Sequence, residues 1–230
     1  MLSVLVPTLN ESANLAACLA PLQAMRGGRV EIIVADGGSD DATATLAAPL
    51  ADRVLTAPRG RAAQMNAAAR AAQGDCLLFL HADCRLPPGA VEAIEHACVG
   101  SAPSWGRFDV RLDHPDWRFR IIETAMNWRS CISGIATGDQ GIFVTRALFE
   151  QVGGYPEIPL MEDIALSRAL KRHARPRCLR ARMTVSARYW TQHGLPRATL
   201  RMWRLRAAFW LGADPQDLAR RYYPAPTKQP

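Results

Sequence analysis

The stretch Gly74-Asp75-Cys76-Leu77-Leu78-Phe79-Leu80-His81-Ala82-Asp83 decides the fold. Cys76–Leu80 is five apolar residues in a row, bounded by Gly74-Asp75 before it and Pro87-Pro88-Gly89 after it, and reads as a buried strand. The strand delivers two polar side chains, His81 and Asp83, where it leaves the core. In an open α/β sheet, ligands bind in the crevice beyond the carboxyl ends of the strands. A carboxylate there can hold a hard divalent cation against a diphosphate.

Upstream of this strand the chain alternates. Leu2–Val6, Val30–Ala35 and Arg53–Thr56 read as strands. Asn10–Gln23 reads as a helix with Leu15, Leu19 and Leu22 on one face, Ser39–Ala51 as a helix capped by Ser39 or Asp40, and Ala62–Ala72 as an alanine-rich helix. Pro88–Cys98 is a further helix with proline in its first turn. This order predicts an α/β fold, with a mostly parallel central sheet flanked by helices. Downstream the pattern is less regular. Trp105–Leu112, Gly141–Thr145 and Cys178–Val185 read as strands. Trp117–Ser130, Glu162–His173 and Ala198–Leu211 read as helices, and Pro224–Pro230 as a flexible tail.

Bulk properties bound the function. The 230 residues are 49% hydrophobic and 21% charged, as in soluble globular proteins. No run approaches the ~20 apolar residues of a membrane span. Met1–Pro7 reads as a first strand, not a signal peptide. The six cysteines contain no C-x-x-C pair, which argues for reduced structural thiols in a cytoplasmic protein and against a zinc site. Net charge is −3 over residues 1–100 and +10 over 101–230, and Ile164–Ala213 holds 12 basic residues and no acid. A one-signed block suits an anionic partner: a phosphate-bearing substrate, a membrane surface or nucleic acid.

Three loops follow the predicted strands. Pro7-Thr8-Leu9-Asn10-Glu11 is a turn into a helix start with free N–H groups. Ala35-Asp36-Gly37-Gly38-Ser39-Asp40-Asp41 puts Asp36 at a strand tip and two glycines where a backbone can approach a ligand. Arg59-Gly60-Arg61 at a helix start suits a phosphate or ribose. Neither G-x-G-x-x-G nor a P-loop is present, which disfavours a dinucleotide or P-loop site. Glu162-Asp163 opens a helix and offers a carboxylate to take a proton from a hydroxyl.

In order, Val6–Glu11, Ile33–Asp41, Arg61–Asn66, His81-Ala82-Asp83, Thr137–Gly141, Gly153-Gly154-Tyr155-Pro156 and Met161-Glu162-Asp163 resemble the family 2 glycosyltransferases, which have the GT-A fold. The likeness covers roughly residues 2–190. It is nearest to small stand-alone bacterial members of the selenium-domain-associated type. It implies one GT-A-like domain over 1–223: a nucleotide-sugar half (1–100), an acceptor half (101–195) and a basic amphipathic helix region (196–223). It implies an inverting transfer from a nucleotide sugar, UDP-linked by preference, to a glycan, small-molecule or lipid-phosphate acceptor. Asp163 would be the base, with Glu162 beside it. Pro7, Thr8, Glu11, Asp36, Gly38, Arg61 and Ala82 would bind the nucleotide. Gly138, Asp139, Gln140, Arg188 and Trp190 would border the diphosphate and acceptor. Asp83 would hold a divalent cation, Mn²⁺ or Mg²⁺, with His81 and His193 as further contacts. His81 departs from the family's D-x-D pattern, standing where the first Asp is expected.

The last predicted helix places Leu200, Trp203, Ala207 and Trp210 on one side and Arg197, Arg201 and Arg204 on another. That pattern suits a helix lying on a membrane, so residues 197–211 are the expected contact for a peripheral location on the inner membrane face. Packing of its apolar side on the domain is the alternative. Two other function classes compete with the transferase: a non-catalytic nucleotide-sugar-binding protein, and a basic membrane-surface or nucleic-acid module. A nucleic-acid partner is not expected.

Overall fold

Leu2–Thr8 (β1) sends Val4 and Val6 to one face of a sheet and Leu5 to the other, the period of two that strands impose; all three are fully buried. The computed structural model describes residues 1–100 and 102–223, so the expected tail at 224–230 lies outside the described residues. After β1 come α1 (Leu15–Leu19), β2 (Val30–Asp36), α2 (Thr43–Ala47), β3 (Arg53–Thr56), α3 (Arg61–Ala71), β4 (Cys76–Phe79), β5 (Cys84–Arg85) and α4 (Ala90–Cys98). The second half adds β6 (Trp105–Leu112), α5 (Trp117–Ser133), β7 (Ile142–Thr145), α6 (Arg146–Gln151), α7 (Glu162–Leu170), β8 (Arg177–Val185), α8 (Arg188–His193), α9 (Leu195–Trp210) and α10 (Pro215–Tyr222).

The eight strands form one sheet in the order β3-β2-β1-β4-β7-β6-β8-β5. The strands β3, β2, β1 and β4 run parallel, with Leu5 opposite Ile33 and Phe79. Their carboxyl ends therefore share one edge. The sheet as a whole is mixed, because β7 runs antiparallel to β4 and β6, and β5 antiparallel to β8. The register of β7 explains this: Ile142 pairs with Phe79, so the turn before β7 sits at the carboxyl end of β4 and the chain can only run back. One face of the sheet packs Val4, Val6, Ile32, Val34 and Leu78 on α1, α2 and α4. The other packs Leu5, Ile33, Leu77 and Phe79 on α3, α6 and α7. Burial pushes the Cys18 and Cys84 thiols up, with the nearby Asp83 charge adding to it, as structural thiols behave.

Several elements are shorter or more numerous than the sequence predicts. Proline 21 lacks an N–H, so the chain leaves α1 as a 3-10 turn over Ala20–Met25. Neither Ser39 nor Asp40 caps α2; Ser39 Oγ accepts from Asn10 N and the Asp40 N–H donates to Asn10 Oδ1. Pro88 lies before α4, which starts after Gly89 (φ +73°). The helices α6, α8 and α10 have no counterpart in the sequence reading. On α9, the predicted apolar side faces outward: Leu200, Trp203 and Trp210 are exposed, while Ala198 and Leu205 are buried.

Helix α5 is built the opposite way to an ordinary amphipathic helix. Its inward face carries Phe119, Glu123, Asn127 and Ser130. The cause is the edge of β6: β7 pairs only with Trp105 and Gly106. Further along, side chains of α5 take over as partners. Val110 N donates to Asn127 Oδ1 (2.9 Å), Asn127 Nδ2 donates to Val110 O (3.1 Å), and Leu112 N donates to Glu123 Oε1 (2.5 Å). Buried backbone groups need such partners. Replacing Asn127 with Ala strands a buried N–H and C=O, and should lower the unfolding free energy in urea by about 3 kcal/mol; a loss within experimental error would show that α5 does not serve this edge.

Candidate active site

Beyond the shared edge of β1, β3 and β4 lies a cavity of about 820 Å³. Its walls include Pro7 and Thr8 at the end of β1 and Glu11 after it, Arg61 at the start of α3, and His81, Ala82 and Asp83 after β4. Arg188 closes the far side, its Nη2 lying 3.8 Å from Glu11 Oε1. These eight expected residues come from four separate segments, and the fold brings them together.

Asp36 is tied into its own loop. Its carboxylate accepts from Thr8 Oγ1 (3.0 Å), Gly38 N (3.1 Å), Ser39 N (2.8 Å) and Ser39 Oγ. Burial works to raise this carboxyl, but those donors outweigh it and hold it below its ordinary value. A carboxylate offers about four lone-pair sites, so an incoming N–H must displace one of these donors. Asp36 and Gly38 thus shape the loop behind the cavity and do not line it. Gln64 fixes the same corner, its Nε2 donating to Thr8 O (2.7 Å) and Ala35 O (2.8 Å).

His81 is packed on Gly138. A Cβ on Gly138 would lie 2.4 Å from His81 Nε2, so any side chain there requires the buried ring to shift. The Nε2 atom is buried and has no hydrogen-bond partner. Burial, followed by the Arg61 charge, pushes the imidazole down to about 3, so the ring is neutral. Asp83 lines the cavity. Among the described residues no three His, Cys, Asp or Glu side chains converge on one point. The donor set still fits a cation held largely by phosphate oxygens and water, which needs only one or two protein carboxylates. Asp83, on the cavity wall, is placed to serve as such a carboxylate. His193 is not among the walls of this cavity; its Nδ1 pairs with Tyr189 O (2.9 Å) and its ring stacks on Tyr189, which leaves Nε2 free. Trp190 likewise packs against the core.

A smaller cavity adjoins the first and shares Arg61 with it; Glu162, Asp163, Thr137, Arg206 and Tyr222 are among its walls. Met161 enters α7 in the left-handed conformation (φ 70°), which turns Glu162 and Asp163 inward. Asp163 Oδ2 accepts from Gly138 N (2.9 Å) and Oδ1 from Ile164 N (2.7 Å). Burial raises the Asp163 carboxyl. Burial, then the Asp163 charge, pushes Glu162 up to about 7. Two interacting carboxyls in one site release their protons in separate steps, one of them near neutral pH.

The turn Gly138–Gln140 anchors this pair and does not border the large cavity. Gln140 is fully buried and closes the turn, with Thr137 N donating to its Oε1 (3.1 Å). Asp139 Oδ1 is buried without a partner. Two residues absent from the sequence reading stand nearby. Arg206 Nε and Arg129 Nε and Nη2 are buried without hydrogen-bond partners. Burial, and then the Arg206 charge, pull the Arg129 guanidinium down to about 10. Nothing marked Arg206 in a block of 12 basic residues. A link between two quoted motifs also went unforeseen: Asn66 Nδ2 donates to Tyr155 O (2.8 Å) and Tyr155 N donates to Asn66 Oδ1 (2.9 Å). That pair fixes the Gly153–Tyr155 loop, which leads into Glu162.

A model of the family described as Glycosyl transferase family 2 matches residues 3–145. The PGL/p-HBAD biosynthesis glycosyltransferase of Mycobacterium bovis (strain BCG / Pasteur 1173P2) is 32% identical over 168 residues, 67% of this chain and 63% of that protein. The chain spans less than two thirds of the length of the curated relatives it matches. Its fold resembles that of S. aureus TarS 1-349 in complex with UDP (TM-score 0.62, 17% identity, covering 96% of this chain and 70% of that one). It also resembles glucosyl-3-phosphoglycerate synthase from Mycobacterium tuberculosis in complex with Mn²⁺, UDP and glucosyl-3-phosphoglycerate (TM-score 0.60, 21% identity, covering 80% and 70%).

The Gly138–His81 contact can be tested by a double-mutant cycle. Gly138→Ala should cost about 2 kcal/mol of stability in the native chain, and under half of that in a His81→Ala background, where the added methyl has room. Equal costs in both backgrounds would mean that the two residues do not touch.

Proposed function

Given a chain that belongs to glycosyl transferase family 2, we propose that this glycosyltransferase moves a sugar from a UDP-sugar, with inversion at the anomeric carbon, to an acceptor hydroxyl. The observation that carries this reading is Arg61. It lines both the large cavity, which suits the nucleotide diphosphate, and the small one that holds Glu162 and Asp163. The sugar carbon would sit where the two cavities meet. The resemblance to UDP-bound structures supports the donor class.

The proposed roles follow from chemistry. A sugar hydroxyl is a weak nucleophile and needs a base in hydrogen-bond reach as the C–O bond forms. Asp163 serves, held in place by the Gly138 and Ile164 N–H groups. Glu162 keeps the pair's charge sensitive to pH near neutrality. Arg61 and Arg188 face the departing diphosphate and offset its charge. Asp83 holds the divalent cation, which when bound neutralises the leaving group as a Lewis acid. Arg129 and Arg206, with unpartnered donors near Asp163, favour a hydroxyl acceptor that also carries a negative group such as a phosphate. The likeness to the small stand-alone bacterial subgroup rests on the sequence motifs alone.

Asp163→Asn should lower turnover by about three orders of magnitude while UDP with Mn²⁺ still raises the melting temperature; an active Asn variant would remove Asp163 as the base. The rate should rise with pH through about 7, and Glu162→Gln should move that limb to lower pH. The same shift has a sign in stability. A carboxyl whose pKa is raised on folding favours the fold while protonated, and that contribution is lost as pH rises from its ordinary value through about 7. Glu162→Gln should therefore gain on the native chain by roughly 3 kcal/mol between about pH 4 and about pH 8 in urea titrations. A pH-independent difference would contradict the buried, charged assignment of Glu162.

A further inference from the structure

Two helices carry apolar faces into solvent. On α5, Trp117, Ile121, Trp128 and Ile132 lie at helical spacing on one side. On α9, Leu200, Trp203 and Trp210 do the same, with Leu211 just beyond. The four tryptophans keep between 58% and 69% of their surface exposed, Ile132 keeps 78% and Leu211 keeps 89%. Single exposed apolar residues are ordinary, but two continuous stripes are not. Nor does either helix have its buried side free to exchange: α5 uses Glu123 and Asn127 on β6, and α9 packs Ala198 and Leu205 inward.

The last turn of α7 reaches the ends of both helices. Lys171 Nζ donates to Ser133 O (2.7 Å), next to Ile132. Three residues earlier in the chain, the Arg168 guanidinium lies 4.3 Å from the centre of the Trp210 ring. Basic side chains thus stand at the ends of both helices, and exposed Arg197 and Arg204 flank the apolar stripe of α9. From Ile164 to Ala213 no acid offsets them. This charge selects the occupant. A second copy would bring two basic faces together, which like charges oppose. An anionic bilayer offers phosphates to the Arg and Lys heads and a boundary layer to tryptophan. No helix of the described residues is long and apolar enough to cross a membrane, so contact is with the surface.

We propose that α5 and α9 together form a docking surface for an anionic membrane. Arg168, Lys171, Arg197 and Arg204 meet headgroup phosphates, and Trp117, Trp128, Trp203 and Trp210 enter the boundary between headgroups and acyl chains. The surface holds whether or not the chain transfers sugar, because its test needs no donor or acceptor. The same α9 carries Arg206 on its other side into the cavity with Asp163, which would put a lipid-borne acceptor within reach.

The test is co-sedimentation of the full chain with vesicles of equimolar phosphatidylcholine and phosphatidylglycerol, against vesicles of phosphatidylcholine alone. Binding should be at least about tenfold stronger to the anionic vesicles and weaken with salt, with a blue shift of tryptophan emission. Trp203→Glu/Trp210→Glu and Trp117→Glu/Trp128→Glu should each cut it at least about tenfold. All four positions are exposed, and an unchanged melting temperature confirms the fold of each variant. Failure to bind anionic vesicles overturns the proposal. So does concentration-dependent dimerisation that these substitutions abolish, which would make the face an interface between copies. Unchanged binding by the α5 variant overturns the two-helix surface.

Discussion

The amide of Gly138 is the point on which the site depends. It donates to Asp163 at the start of α7, and its Cα lies against the ring of His81 at the end of β4. One residue therefore sets the distance between the strand end that carries Asp83 and the helix start that carries the Glu162–Asp163 pair. The antiparallel return of β7 follows from the same placement, since the chain leaves this turn beside Phe79 and must run back along β4. A side chain at position 138 would push the two carboxylate-bearing elements apart. His81 belongs to this contact as a neutral, buried ring. Packing on Gly138 thus accounts for a His at this position.

A second constraint works on the outside of the molecule. The strand β6 is joined to β7 by only two residues, and its remaining edge needs hydrogen-bond partners. Side chains of α5 provide them, which commits the polar side of that helix inward. Its tryptophans and isoleucines are left facing out. An exposed apolar face here is the consequence of satisfying buried backbone groups, an obligation stronger than the preference for hiding single apolar side chains.

Much of this was legible residue by residue. The strand bounds of β3 and β6 match their apolar patterns, and the loops after β1, β3 and β4 do line one cavity. Parallel strands put their carboxyl ends on one edge, so residues that follow strands must converge. What misled was chemistry with two readings. Ser39 could cap a helix or brace Asp36, and it braces Asp36. Gln140 could face a ligand or close its own turn, and it closes the turn. Helix periodicity told which side of α9 is apolar but not which way it faces.

By itself the sequence determined the α/β alternation, the loops that line the large cavity and the acid pair that opens α7. These are local: apolar period, glycine and proline punctuation, and charge at helix starts all act within a few residues. Only the tertiary structure decided that Arg61 joins the two cavities, that Arg129 and Arg206 keep unpartnered buried donors near Asp163, and that α5 and α9 turn their tryptophans to solvent. Those facts depend on which buried donors and acceptors find each other across the chain, and pairing at that range is set by the packing of the whole sheet.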